Sequence, residues 1–207
     1  MCKENLLEEK QIINIMQNWE FIKDIKNPSE RVKFAAVEEN GEAIQYIENP
    51  SLRLQLAAIR QNAYAIKYIK NPIEPLKMIA VKFNGLVIRY IDDPSEEMQV
   101  AAIMNNGLAI KYIKNPTEYM KMMAVKKIGY AIKYIKNPSL ELQLEAVKQD
   151  GEMLLYLEKQ TEELQIAAVK ENPYAIRYIL EPTERVLEIA KSKGVDINAK
   201  RESLPYF

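Results

Sequence analysis

Apolar and polar positions follow one order along this chain and repeat it every 22 residues. The stretch from Asn49 to Lys70 shows the pattern: NPSLRLQLAAIRQNAYAIKYIK. After Asn-Pro come apolar side chains at places six, eight, ten and eleven, then a polar break, then a shorter apolar cluster. Pro28, Pro50, Pro72, Pro94, Pro116 and Pro138 stand 22 apart, Pro182 lies two periods further on, and Gln160 fills the vacancy between. Such a period predicts an array of small helical units rather than a single globule. Seven full units occupy 27–180, with a degenerate capping unit at 1–26, a capping helix at 181–194 and a tail at 195–207 that leaves the period.

Punctuation within each unit predicts two helices. Asn27, Asn49, Asn71, Asp93, Asn115 and Asn137 each precede proline, which suits an N-cap followed by proline at the first helical position. Glu30, Glu74, Glu96 and Glu118 come three residues later, where a reciprocal capping box would place them. A helix of about 12 residues is expected from each Asn-Pro, closing at Asn40-Gly41, Asn84-Gly85, Asn106-Gly107 and Asp150-Gly151 through a left-handed glycine. A second helix of about seven residues, such as Leu108 to Lys114, then runs to the next Asn-Pro, which stops it. Lys159-Gln160 replaces cap and proline, so this short helix is expected to run on toward Thr161.

The burial pattern predicts stacking. Place ten is always alanine, from Ala36 and Ala58 to Ala168 and Ala190, which suits the closest approach of packed helices. A 22-residue helix pair cannot bury this much apolar surface alone, so the units must stack. The fold expected is all-α, an α-solenoid of two-helix repeats in a right-handed superhelix.

The phrase carried by these units, K-N-P-S/T-E followed by A-A-V-K, N-G and A-I-K-Y-I, resembles the tandem repeats of the domain-of-unknown-function 4116 family of bacterial and viral proteins. A looser likeness joins it to leucine-rich-variant and HEAT-type repeats. The resemblance covers about 27–180. It implies a helical solenoid and brings no activity with it, while the repeats of the looser likeness commonly bind other macromolecules.

Composition narrows the chemistry. Lys plus Arg and Asp plus Glu both total 29, and formal charge is zero, so electrostatic recognition must come from local segregation. There is no histidine and a single cysteine, Cys2; no metal site of the usual N/S kind and no cofactor is expected. No Gly-rich phosphate loop occurs, and carboxylate pairs such as Glu96-Glu97 fall in first helical turns, where the helix dipole accounts for them. The chain is expected not to be an enzyme. The polar, acidic start and the lack of a long apolar run predict no membrane span and a cytoplasmic location, in a bacterium or an infected host cell.

Two rows of residues remain as candidate contacts. Tyr46, Tyr68, Tyr90, Tyr112, Tyr134, Tyr156 and Tyr178 hold one place in successive units; packing between repeats explains them, and a ladder of rings would also suit a peptide or stacked bases. Lys67, Lys70, Arg89, Lys111, Lys114, Lys133 and Lys136 flank those tyrosines on the face away from the core and form a basic ridge, interrupted by Gln45, Glu48, Leu155 and Glu158. Phe83, Met104 and Leu155 put apolar groups at polar places. The partner expected is another protein, held along an extended surface by an inhibitor or adaptor. Nucleic acid along the ridge is the alternative, with Lys67, Lys70, Arg89, Lys111, Lys114, Lys133, Lys136, Tyr68, Tyr112 and Tyr134 the contacts in either case. Oligomeric state is open.

Overall fold

A computed structural model describes residues 3–196 of the chain; the tail from 197 onward lies outside the described residues. Every regular element among them is a helix, with no strand. Longer helices alternate with six-residue 3-10 helices. The longer ones are α1 (Lys3–Gln17), α2 (Glu30–Glu39), α3 (Leu52–Gln61), α4 (Glu74–Phe83), α5 (Glu96–Asn105), α6 (Glu118–Lys127), α7 (Leu140–Gln149), α8 (Glu162–Glu171) and α9 (Glu184–Ser192). The chain divides into two compact units, Met1–Asn105 and Asn106–Phe207. Within each, consecutive α-helices pack side by side and so do consecutive 3-10 helices. Each unit is thus a two-layer stretch of all-α repeat solenoid, the class that the period predicts. Places six, ten and eleven form the core of each long helix from α2 to α8, as with Val32, Ala36 and Val37 or Leu54, Ala58 and Ile59.

The caps differ from the expected ones. The α-helices start two residues after proline, and the side chain that accepts the orphan amide is Ser29 from Val32, Ser51 from Leu54, Thr117 from Met120 and Ser139 from Leu142. Asn27, Asn49, Asn71, Asp93 and Asn137 instead adopt the left-handed conformation, with φ of 50°, 46°, 50°, 45° and 48°. Asn and Asp tolerate that region better than other side chains, and the following proline has no amide to satisfy, so the pair makes a turn between helices rather than a cap. Glu30, Glu74 and Glu118 become first-turn residues, too near the cap to reach back to it. They pair with Lys33, Lys77 and Lys121 at 2.8, 2.7 and 2.6 Å.

The helix ends depart from expectation in the same way. Asn40 is extended (φ −150°, ψ 117°); its amide donates to Ala36 O at 3.0 Å, and its Oδ1 accepts from Glu42 N to open the next short helix. Asn62, Asn84, Asp150 and Asn172 do likewise, and Asn106 is extended with its Oδ1 accepting from Leu108 N. Gly194 is the one glycine with positive φ among the described residues. Glycines at the helix junctions serve close approach instead: a Cβ on Gly107 would stand 2.6 Å from Ala124 O.

The second helix, expected at about seven residues, has six and is a 3-10 helix, such as Gly41–Tyr46 or Gly107–Tyr112. With three residues per turn, side chains three apart eclipse, which sorts the unit into three edges. Ile110 and Ile113 form a buried edge, Ala109 and half-buried Tyr112 a second, and Lys111 and Lys114 an exposed third. The other repeats sort in the same way, except that Tyr46 and Tyr90 are exposed and Leu157 is only half-buried. Contrary to expectation, the short helix before Gln160 does not run on. It closes at Tyr156, with Leu157 N donating to Leu154 O, and Gln160 Nε2 donates to both Leu154 O and Tyr178 O.

A longer period of 44 overlies the 22. At place seven, Gln55, Gln99 and Gln143 each donate to the carbonyl of the proline that opens their unit, while Lys33, Lys77 and Lys121 occupy that place in the alternate units. At place thirteen of the same units, Gln61, Asn105 and Gln149 reach back one repeat. Gln61 accepts from Gly41 N and donates to Glu39 O. Asn105 does the same with Gly85 and Lys82, and Gln149 with Gly129 and Val125. Alternate junctions are therefore stapled by a side-chain amide. Between them, Glu39, Phe83, Lys127 and Glu171 stand exposed at that place.

Candidate binding edge and its grooves

The exposed edge of the 3-10 helices carries the cations singled out in the sequence, and their surroundings differ by position along the edge. The first cation of each pair lies against tyrosine rings. In the Met1–Asn105 unit, Lys67 Nζ stands 4.5 Å from the Tyr68 ring centre and 3.3 Å from Glu42 Oε1. Arg89 lies between Tyr64 at 5.4 Å and Tyr90 at 4.6 Å and donates to Tyr90 OH at 2.6 Å. In the Asn106–Phe207 unit, Lys111 lies between Tyr112 at 5.7 Å and Tyr134 at 5.3 Å. Lys133 lies between Tyr130 at 5.2 Å and Tyr156 at 5.0 Å. The second cation of each pair, Lys70, Lys114 or Lys136, is exposed and meets no ring among the described residues.

These lysines have a structural role that charge balance alone does not describe: an ammonium over a ring face is held by the ring quadrupole, more strongly where water is partly excluded. The protonation equilibria follow. Hydrogen bonding to Tyr68, aided by Glu42, raises the Lys67 pKa. Lys133 donates to Tyr130 OH at 2.9 Å, which raises Lys133 and lowers Tyr130. The Tyr156 phenol is pushed up by burial, with the Tyr130 hydroxyl adding to it. The rings also hold one another: Tyr130 meets Tyr156 edge-on at 5.1 Å between centres.

Where the short helix gives way to Asn-Pro, three repeats leave an open groove against the end of the next short helix. The groove at Asn49 (about 680 Å³) is lined by Gln45, Tyr46, Glu48, Tyr68 and Lys70 among others. That at Asn115 (about 520 Å³) has Lys111, Lys114, Tyr134 and Lys136. That at Asn137 (about 660 Å³) has Lys133, Lys136, Tyr156, Glu158 and Lys159. Phe83, Met104 and Leu155 are exposed, at 56%, 61% and 47%.

No group of three or more metal-ligating side chains occurs among the described residues, and no described helix is long and apolar enough to cross a membrane. Compared with known proteins, the chain matches no family model, no curated protein and no solved structure. The likeness in the repeat phrase therefore stands on those residues alone. Reading the sequence in α-helical steps concealed the pairing of Tyr130 with Lys133 and the exposure of Asn115 and Asn137. The three-residue spacing of Ile-Lys-Tyr-Ile-Lys, which suits a 3-10 turn, is the signal that carries them.

Proposed function

We propose that the protein is a non-enzymatic repeat scaffold that holds an extended segment of another protein along the exposed edge of its 3-10 helices, as an adaptor or inhibitor. The observation that carries this reading is the lysine or arginine set on tyrosine rings in four successive repeats, beside a groove at Asn115 and at Asn137. Such pairs are rigid, amphipathic and regularly spaced, the properties of residues that dominate protein interfaces. The rival ligand, single-stranded nucleic acid, needs open ring faces on which bases can stack. In Tyr68, Tyr112, Tyr134 and Tyr156 a cation already occupies a face.

The test is a selection of displayed random peptides on the whole chain, with counter-selection on a variant carrying Ala for Lys67, Arg89, Lys111 and Lys133. Peptides that bind the parent and not the variant are expected. Fluorescence anisotropy with single- and double-stranded oligonucleotides runs beside it at about 50 mM salt. An empty selection together with tight oligonucleotide binding that collapses as salt rises would overturn the proposal in favour of a phosphate-binding ridge.

A further inference from the structure

From the two neighbouring grooves of the Asn106–Phe207 unit, at Asn115 and Asn137, we infer that the segment held there is acidic, runs in polyproline II conformation and presents a carboxylate at every third residue; this inference rests on the protein-binding reading above. Three observations converge on it.

The first is charge. Lys111, Lys114, Lys133, Lys136 and Lys159 line the two grooves against a single carboxylate, Glu158. Lys121, also in the wall, is already paired with Glu118. Lys114 and Lys136 are exposed and have no ion-pair or hydrogen-bond partner among the described residues. In the Asn49 groove, by contrast, Lys70 is offset by Glu48. In a chain of zero net charge, this local excess selects an anionic ligand for the Asn106–Phe207 unit.

The second is the amides. Asn115 and Asn137 line the two grooves, and neither side chain has a hydrogen-bond partner among the described residues. A primary amide both donates and accepts, so it can pair with the N–H and C=O of a passing peptide backbone. A polyproline II chain offers these groups because it makes no internal hydrogen bonds.

The third is the repeat distance. Packed helices stand roughly 8–10 Å apart, which sets the step from one groove to the next, and the two grooves share Ile135 and Lys136. A polyproline II helix has three residues per turn and rises about 3.1 Å per residue, so side chains on one side recur every 9 Å or so. Carboxylates at i and i+3 would then meet Lys114 and Lys136 in turn, while the amides hold the backbone between them. A β-strand, with side chains alternating every second residue at about 6.6 Å, does not keep that step.

The test uses the full chain and fluorescein-labelled synthetic peptides: repeated Glu-Ala-Pro, an isomer with the same glutamates in one block, and repeated Gln-Ala-Pro. Oligothymidylate of equal charge is the fourth probe. Repeated Glu-Ala-Pro is expected to bind best. Lys114→Glu with Lys136→Glu is expected to weaken it by about tenfold or more, as two charge-assisted contacts are lost, while Lys148→Glu, exposed on α7 and lining neither groove, leaves it unchanged. Circular dichroism of both variants checks that they fold. Equal binding of the blocked isomer, or insensitivity to the double reversal, would overturn the spaced-carboxylate inference. If acidic peptides fail while the display selection yields other ligands for the same edge, this inference falls and the scaffold reading stands. If only oligothymidylate binds, both fall.

Discussion

Replacing Gly107 by alanine would place a Cβ 2.6 Å from Ala124 O and 3.2 Å from Lys127 Cβ. Carbon and carbonyl oxygen need more than 3 Å, so the short helix Gly107–Tyr112 and α6 must part by about half an ångström. A gap of that size forfeits roughly a quarter of the dispersion energy along the contact, and overpacking of this kind costs about 1–3 kcal/mol. Against it stands the reduced entropy of the unfolded chain, worth about 0.4–1 kcal/mol for Gly→Ala where the backbone conformation is permitted. A net loss of about 0.5–2 kcal/mol is expected. Gly129 holds the same place one repeat later in the same unit, and its Cβ would come no nearer than 3.2 Å to Ala146 O. Gly129→Ala should therefore lie within about 0.5 kcal/mol of the parent. Urea unfolding followed by far-UV circular dichroism compares the two. Equal stability of the two variants, or a Gly107→Ala more stable than the parent, would refute the claim that glycine stands at this place for closeness.

Gln149→Ala removes one amide that serves Gly129 N and Val125 O across a part-buried junction, so about 1–3 kcal/mol should be lost. Lys127→Ala, at the same place in the unstapled phase, should shift the urea midpoint negligibly. The Glu8 carboxyl, held below its ordinary 4.5 by the Ser29 hydroxyl first and by Arg31 next, contributes stability that is present above that value and lost as pH falls through the lowered pKa. The difference in urea midpoint between parent and Glu8→Gln should accordingly be present at neutral pH and shrink only as pH falls below 4.5 and through the lowered pKa; a difference that acid leaves unchanged would count against the pairing. Lys133→Met should raise the Tyr130 pKa, since the ammonium is the main cause of its lowering. Ring-carbon NMR titration reads this directly, and an unmoved Tyr130 would show that the hydrogen bond is absent in solution.

The period, the helical class and the core places were legible in the sequence because repetition averages out local ambiguity: seven units vote on place ten, and all give alanine. The caps were not, for a reason seen at Asn27. Asn before Pro satisfies the rules for an N-cap and for a left-handed turn equally well, and Ser29, two residues on, decides between them by taking the cap itself. The same ambiguity hid the 3-10 helix. Ala43, Ile44 and Ile47 share one side of an α-helix closely enough, yet only three residues per turn puts Tyr46 beside Ala43 and leaves Gln45 and Glu48 together in solvent. The 44-residue alternation was written openly in Gln11, Gln55, Gln99 and Gln143, and was masked by the stronger proline beat at half its length. On the exposed edge, the row of cations was legible in the sequence and the rings they rest on were not. Which ring a lysine rests on depends on the step between neighbouring repeats, which no single repeat contains.

The amide staples divide the array into joints of two strengths. Under tension applied at the chain ends, the junctions between α2 and α3, α4 and α5, and α6 and α7 resist through Gln61, Asn105 and Gln149, whereas those between α3 and α4 and between α7 and α8 have no such bond at place thirteen. A pulled chain should therefore yield in doublets, each releasing about 44 residues or roughly 15 nm of contour, rather than one repeat at a time. The force trace of this protein would count its repeats in twos, with the side-chain amides as the rivets and the exposed Phe83 and Glu171 marking the seams.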